Sequence, residues 1–422
     1  MFITTLELEN VRTFAKANLD FVHPDLEYAP AKTPLDKLKK RLPRPRLPNV
    51  NLLLGDNGSG KTTLLRAIAM SALGPSVTSP SAGIRDPGLV RRGADLPKNA
   101  KARLVSAFGL HPQDRAPEGA VARGELEVGK RGDTEEFRFL DPDEHVWEPV
   151  FEEKNDAFLV VGYGATRRVE QADRFDMGSR TKTRFIRGQR IASLYEDGFS
   201  LIPLTYWLPD LQKSNKGRYT QVVHLLKRLI GPGHYTFTEE LERGDYLFER
   251  GGMKIPFRAL SDGYRAFIGW VGDLLYHVCY GAPSGKKLDE GSGIVLVDEI
   301  DLHLHPRWQM KVIPTIAKAL PRMQFVFTSH SPLVAGSLEW MNIITLKTNN
   351  KTNRTKVGRL QRSIHGLDAD QILLSDLFGL TSTRAEAKTT QLHKLTAQAR
   401  EGDDAAALQI VRELSRGLEE SP

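Results

Sequence analysis

The stretch Gly55-Asp56-Asn57-Gly58-Ser59-Gly60-Lys61-Thr62 constrains this chain more than any other. Its glycines let the backbone turn successive N–H groups inward, and a Gly-Lys-Thr end at this spacing is the pattern of a loop that cradles phosphate. The flanks agree. Val50 to Leu54 reads as a short buried strand, and Thr63 to Met70 reads as a helix that buries one face. Strand, loop and helix in that order set the positive end of the helix where phosphate oxygens sit. In such a loop Lys61 reaches the β- and γ-phosphates, and the Thr62 hydroxyl holds Mg²⁺. Gly55, Asn57, Gly58, Ser59, Gly60 and Thr63 complete the candidate cradle. The alternative is a glycine-rich turn before a helix, and both flanks argue against it.

The chain has 422 residues, 40% of them hydrophobic and 26% charged, which is the composition of a globular protein with one large core or two to three domains. No apolar run reaches the ~18 residues of a spanning helix, and Met1-Phe2-Ile3-Thr4-Thr5 lacks the basic start of a signal peptide, so the expected location is cytoplasmic with no membrane partner. Cys279 is the single cysteine and sits in an apolar helical stretch as a core residue, which excludes an internal disulfide or a cysteine zinc site. A net charge of +7 fits an anionic partner and fits surface solubility equally well.

Phe2 to Phe21 alternates apolar and polar residues around Asn10-Val11-Arg12, the pattern of a hairpin. Residues 23–49 carry prolines at 24, 30, 34, 43, 45 and 48 and a basic cluster of Lys37, Lys39, Lys40, Arg41, Arg44 and Arg46, reading as a short helix and an exposed arm that is equally a solvated charge run or a nucleic-acid contact. Residues 75–101 read as loops over the nucleotide, and alternation between Leu104 and Phe151 predicts an antiparallel sheet. Phe158 to Arg168 is a buried strand running into a basic turn able to face phosphate or DNA. Residues 174–190 add six basic residues as a second candidate patch. A helix at 221–230 precedes strands near Tyr246–Glu249 and Lys254–Phe257. Ser261-Asp262-Gly263 opens a long apolar helix. Ile294-Val295-Leu296-Val297 is an unbroken apolar run, as in a parallel strand buried on both faces, and it ends in Asp298-Glu299. Pro306 starts a helix. Gln324 to Thr328 is a further buried strand, leading to Ser329-His330-Ser331-Pro332. From Asp370 the tail reads as helices, with Gly402 ending one and Asp403 or Asp404 capping the next.

Taken in order, these pieces resemble the ABC-type ATPases of the SMC, RecF and OLD lineage, over residues from about 2 to 335. Gly55 to Thr62 matches Walker A, Leu260-Ser261-Asp262-Gly263-Tyr264 resembles the ABC signature, Ile294 to Glu299 matches Walker B with its catalytic glutamate, and His330 resembles the switch histidine. The chemistry agrees. An aspartate ending a buried strand is placed to hold Mg²⁺, hence Asp298 with Thr62, and the next residue, Glu299, points the other way toward an attacking water. Ser261 and the Gly263 amide sit at a helix start able to bind γ-phosphate, and His330 is able to donate to the same group. Asp298 to Pro306 is like the OLD and RecF-related members, with His305 where transporters hold aspartate, which argues against membrane transport. His303 and His305 beside Asp301 lack a ligand spacing and read as structural. Gln171 is the candidate Q-loop glutamine.

The resemblance implies an α/β fold: a P-loop ABC-type head with a mostly parallel sheet flanked by helices, an antiparallel β subdomain, a helical insertion and C-terminal helices. Residues 1–335 form the head. Within it, 1–22 and 50–165 are the nucleotide lobe, 23–49 the basic insertion, 166–290 the signature lobe and 291–335 the Walker B to switch-histidine part; residues 336–422 are a strand and helical tail. The resemblance also implies ATP and Mg²⁺ as ligands, Mg²⁺-dependent hydrolysis with Glu299 and His330 as catalytic residues, and a homodimer in which Ser261 and Gly263 complete the site of a second copy. Tyr163-Gly164-Ala165-Thr166-Arg167 and Gly366-Leu367-Asp368-Ala369-Asp370 add a likeness to bacterial defence ATPases of Septu, PARIS and retron systems, which work with a nuclease or toxin effector. Two other readings stay open: a DNA-stimulated repair ATPase, and an ATP-dependent scaffold with negligible turnover.

Overall fold

The structure is a computed structural model that describes the chain except residues 30–41, 85–87, 94, 98, 132–133, 141–143, 153–156, 170–174, 179–183, 232–234, 283–284, 350, 361–363, 376, 379, 381, 383–385 and 416–422. Two compact units result, Met1–Gly366 and Leu367–Pro422. The strands of the first are β1 Phe2–Val11, β2 Phe14–Asp20, β3 Val50–Gly55, β4 Ala102–Gly109, β5 Val121–Arg131, β6 Thr134–Leu140, β7 Val160–Tyr163, β8 Arg168–Val169, β9 Ser200–Leu201, β10 Thr236–Glu242, β11 Asp245–Arg250, β12 Met253–Pro256, β13 Gly293–Val297, β14 Met323–Ser329, β15 Ile343–Asn349 and β16 Arg354–Arg359.

The sheet that positions the site runs β16-β15-β3-β14-β13-β7. Every pairing from β15 to β7 is parallel, and only the edge strand β16 is antiparallel. All five residues of β13 are buried between two parallel neighbours, which is why its sequence is continuously apolar rather than alternating. Register decides the site. Ser329 lies opposite Leu54 and Phe327 opposite Val297, so the carboxyl ends of β3, β14 and β13 are adjacent. Ligands of open α/β sheets bind at such carboxyl ends.

The hairpin β1–β2 forms with Val11 opposite Phe14 and joins the antiparallel sheet β2-β1-β4-β5-β6. One core is shared by this sheet (Leu6, Leu104, Leu126), the helix Lys61–Ala72 (Leu64, Leu65, Ile68) and the main sheet (Ile294, Val326). Two buried amides stitch the layers. Gln324 accepts from the Ile3 N–H at 2.8 Å and donates to the Ile3 carbonyl at 2.9 Å, while Asn51 exchanges bonds of 2.9 and 2.8 Å with the backbone of Val22. Amides inside otherwise apolar strands persist because their hydrogen-bonding groups have partners.

Residues 204–281 hold the sheet β10-β11-β12 and helices Leu204–Ser214, Lys216–Ile230 and Asp262–Gly281. In the last, Gly269 and Gly272 remove the side chains that would collide with Val169 and Leu204. Asp273 of the same helix is buried and accepts from the Tyr163 hydroxyl at 2.8 Å and the Ile202 N–H at 2.7 Å, fastening the helix to β7. Buried carboxylates require such partners.

Segment 336–366, grouped with the tail from sequence, belongs to the first unit because β15 pairs with β3, Ile344 lying opposite Leu53. Parallel pairing across distant sequence leaves no local trace. The helix expected within 23–49 falls on residues outside the described ones. In the second unit the helices are Ala369–Leu373, Glu386–Arg400 and Asp404–Ser415. Gly402 takes φ 97°, open to glycine, and Asp403 accepts from the Ala406 N–H at 3.1 Å, which makes Asp403 the cap. Among the described residues no helix is long and apolar enough to cross a membrane.

Candidate nucleotide site

The loop Gly55–Thr62 turns as its glycines dictate. Gly58 and Gly60 take φ 75° and 95°, the left-handed region that costs other residues energy. A Cβ on Gly60 would also fall 2.6 Å from the Phe14 ring. Gly60 is the N-cap of the helix Lys61–Ala72. The Lys61 ammonium donates to the Gly55 and Asp56 carbonyls at 2.8 and 3.0 Å, while the Ser59 hydroxyl is buried with no protein partner. Burial lowers the Lys61 pKa, opposed by the carboxylates of Asp298, Glu299, Asp56 and Asp301. Four acids thus face one lysine at the carboxyl edge of the sheet.

At the ends of β13 and β14 a chain of hydrogen bonds joins three elements. The Thr62 hydroxyl donates to one Asp298 oxygen at 2.7 Å, and the Thr328 hydroxyl donates to the other at 2.5 Å. Thr328 in turn accepts from the Glu299 N–H at 2.7 Å. One threonine side chain therefore fixes both acids of the pair. Thr328 occupies the end of a wholly buried strand, where a hydroxyl needs partners, and that is the one sequence signal that marks it.

Glu299 is held at φ 47°, a conformation uncommon for a residue with a side chain. Such strain, of order 1–3 kcal/mol, persists only where the surroundings fix it. Here Arg167 does so. It is 6% exposed and its guanidinium donates to the carbonyls of Asp298, at 3.0 Å, and Glu299, at 2.5 Å. Burial pulls the Arg167 pKa down to about 10, with Asp298, Asp301 and Glu299 acting against the shift, so it stays protonated at neutral pH.

His330 follows β14 directly. The Ser329 hydroxyl accepts from the Ser331 N–H at 2.9 Å, and the Ser331 hydroxyl caps the next helix and donates to Gln309 at 2.7 Å. The His330 pKa is lowered by burial and then by Lys61, against Asp301, Glu299 and Asp56, so the ring is neutral at pH 7 and carries one N–H to donate. Ser261 and Gly263 sit at the start of the helix Asp262–Gly281. Ser261 is the exposed N-cap of the helix Asp262–Gly281 but makes no side-chain cap bond. Gly263 lies so close to the His303 carbonyl that a Cβ there would collide with it. His305 accepts from the Arg307 N–H at 3.2 Å as an ordinary helix cap.

A family model described as "AAA domain, putative AbiEii toxin, Type IV TA system" matches residues 50–336, a span running from the loop strand through the helix after His330. The chain belongs to this AAA-domain family. Septu protein PtuA of Bacillus mycoides (strain KBAB4) is 24% identical over 387 residues, 90% of this chain and 45% of that protein. The "Retron Ec83 probable ATPase" of Escherichia coli is 31% identical over 148 residues, 35% of this chain and 26% of that protein. The chain thus spans less than half the length of these curated relatives. Among solved structures, an SMC head bound to the C-winged helix domain of ScpA aligns with TM-score 0.54 and 16% identity, covering 85% of this chain and 98% of that one. The fold is that of an SMC-type P-loop head.

Two expectations for this AAA-domain chain are corrected. Of the basic turn, the Arg167 guanidinium is committed to the carbonyls that end β13, while Arg168 is exposed. In the second basic stretch, Arg187 is 2% exposed and donates to the carbonyls of Pro149, Val150, Glu152 and Ala157, Arg190 is buried, and Arg184 pairs with Glu196. Irregular backbone needs donors for its carbonyls, and Arg187 supplies them. Arg174, Arg180 and Lys182 of that stretch lie outside the described residues, as do Gln171 and, in the first arm, Lys37, Lys39, Lys40 and Arg41. Arg46 of that arm pairs with Glu339 at 3.5 Å, and Arg44 lies 5.8 Å over the Tyr28 ring.

Proposed function

We propose that this chain binds ATP with Mg²⁺ and hydrolyses it as a two-fold dimer, acting as the sensor and scaffold of an anti-phage defence system that includes a separate effector or nuclease. The observation that carries the catalytic part is the hydrogen-bonded chain from Thr62 through Asp298 and Thr328 to Glu299, set beside Lys61 at the ends of adjacent parallel strands. The residues fit a Mg²⁺-nucleotide. Left-handed Gly58 and Gly60 aim the loop amides inward, the buried Ser59 hydroxyl has no protein partner, and a hydroxyl and a carboxylate converge at 2.7 Å.

Thr62 and Asp298 would hold the metal and Lys61 the β- and γ-phosphates, exchanging its loop carbonyls for phosphate oxygens. Bound Mg²⁺ supplies charge neutralisation on the transferring phosphoryl group. Glu299, fixed at its backbone by Arg167 and Thr328, orients the attacking water and receives its proton. Neutral His330 donates its N–H to the γ-phosphate. Ser261 and the Gly263 amide reach the site of the second copy, which a two-fold axis makes reciprocal. The defence role rests on the likeness to Septu PtuA along 90% of the chain and to the retron ATPase.

Glu299→Gln is the test. ATP binding is expected to persist, because Lys61, Thr62 and Asp298 are untouched, while phosphate release falls at least a hundredfold and ATP traps the dimer. A variant that turns over at the wild-type rate removes Glu299 from the mechanism.

A further inference from the structure

Residues 303–309 run from the turn after β13 into the first turn of the helix Pro306–Ala319, and they touch the start of the helix Asp262–Gly281 on one side and the turn of His330 on the other. Toward the first, the His303 carbonyl packs against Gly263 where a Cβ would collide. The buried Trp308 ring stacks there on Tyr264, with centroids 4.8 Å apart, and lies 4.3 Å from the ring of Phe267. Toward the second, the Gln309 amide donates to the Leu304 carbonyl at 3.0 Å and its oxygen accepts from the Ser331 hydroxyl at 2.7 Å. That hydroxyl already accepts from the Leu333 and Val334 N–H groups, at 3.1 and 3.3 Å, so its own proton needs an acceptor and the Gln309 oxygen supplies it. The amide can face only one way, because reversed it would set its oxygen against the Leu304 carbonyl.

We propose that Gln309 is a positioning residue for His330 and that, with its neighbour Trp308, it ties the His330 donor to the start of the helix Asp262–Gly281. Ser331 follows His330 in the chain, so what fixes the Ser331 side chain also fixes the direction from which the ring meets the γ-phosphate. Trp308 and Gln309 are consecutive on one helical turn, and a packed ring pair shifts together rather than opening a gap. A displacement of Tyr264 against Trp308 is therefore passed to Gln309 and on to Ser331. In the proposed dimer Ser261 and Gly263 serve the second copy, so the tie runs from what one copy lends its partner to its own γ-phosphate donor. The catalytic meaning of this inference rests on the proposed roles of His330 and Ser261; the packing itself does not.

Two measurements on the full chain test this. Gln309 is half-buried, and Gln309→Met keeps its length and the helix while removing both bonds. Its kcat is expected to fall roughly tenfold with the KM for ATP changed by less than about twofold. On a His330→Gln background the same replacement should cost less than about twofold more, since a residue that acts through another adds little once that one is gone. Ser331→Thr keeps the hydroxyl and should retain near wild-type turnover. The second measurement needs no turnover. In nucleotide-free protein labelled at histidine, the His330 ring resonance, assigned by its loss in His330→Gln, is expected to move in Gln309→Met and in Tyr264→Leu. Undiminished loss on the His330→Gln background, or a ring resonance unmoved by Gln309→Met, overturns the positioning role; a resonance unmoved by Tyr264→Leu overturns the tie to the helix. If His330→Gln turns over at the wild-type rate, the catalytic reading of His330 falls instead, and the ring resonance alone decides whether Gln309 positions it.

Discussion

The carboxyl edge of the parallel sheet and the start of the helix Asp262–Gly281 both carry residues of the proposed ATP site, yet they treat their polar groups oppositely. At the sheet edge, Thr62, Asp298, Thr328 and the Glu299 amide bond one another across three elements of one chain. At the helix start, Ser261 is exposed and leaves its own helix uncapped, although serine at that position ordinarily caps. The four groups at the sheet edge are paired from within, although the Ser59 hydroxyl and one Asp301 oxygen are not, whereas Ser261 is turned outward. The contrast teaches which parts of the chemistry a single copy can assemble and which call for another.

The largest effect is expected at the sheet edge. Asp298→Asn removes a carboxylate that two hydroxyls hold, and turnover should fall by about 10³-fold, the upper range for deleting one preorganised electrostatic group. Phosphate release measures it, and a loss below tenfold would break the claim that Asp298 belongs to the catalytic chemistry of this edge. Next comes a test of the outward region. Lys61→Ala and Ser261→Arg are each expected to be inactive alone. Random pairing makes about half the dimers mixed, each with one intact site, so independent sites recover roughly a quarter of wild-type turnover. No recovery, with subunit exchange demonstrated and nucleotide bound by the mixed dimer, means that the sites fire only together; no recovery without that binding places Ser261 in its own chain's chemistry.

Thr328→Val sharpens the comparison at a smaller scale. It keeps the shape and removes the bridge between Asp298 and Glu299, costing about 1–3 kcal/mol for the buried acceptor left unpaired. Turnover is expected to drop roughly tenfold or more, in kcat rather than KM, with Thr328→Ser restoring most of it. A KM effect alone would make Thr328 a binding residue. Arg167→Met should act in the same sense, releasing the strained Glu299 turn, with a similar or smaller loss read from the same kcat and KM split.

No effect on turnover at neutral pH is expected from His23→Gln, whose ring stacks on Phe2, and it isolates acid sensitivity. Burial pushes the His23 pKa from its ordinary 6.5 down to about 4, Asp25 opposing and His111 and Arg322 adding to the shift. The unfolded chain therefore binds the proton more readily, so stability is full above about pH 6.5 and is lost as pH falls toward 4, by up to about 3 kcal/mol. Urea midpoints at pH 7.5 and 4.5 check it. The wild type should lose more between the two than the variant, and equal losses would show that His23 is not the group responsible.

Much of the head was legible in the residues. Gly58 and Gly60 announce a left-handed loop, Ile294 to Val297 a strand with parallel neighbours on both faces, and Ser261 and Pro306 two helix starts. Each is a local property: a φ angle, a period of burial or a missing N–H is written into consecutive side chains. The covalent order also fixed Asp298 beside Glu299. Arg167 and Arg187 were misread for the complementary reason. A guanidinium's partner is whatever the fold carries to it, and a buried arginine that satisfies carbonyls has the same sequence signature as one that waits for phosphate. Asn51 and Gln324 were silent in the same way, being polar letters in apolar strands whose partners lie up to 321 residues away. The sequence by itself determined the loop, the order of the strands' chemistry and the family; the tertiary structure alone decided which polar groups were already satisfied within the chain and which were left facing out, because hydrogen-bond partnership is settled by proximity in space rather than along the chain.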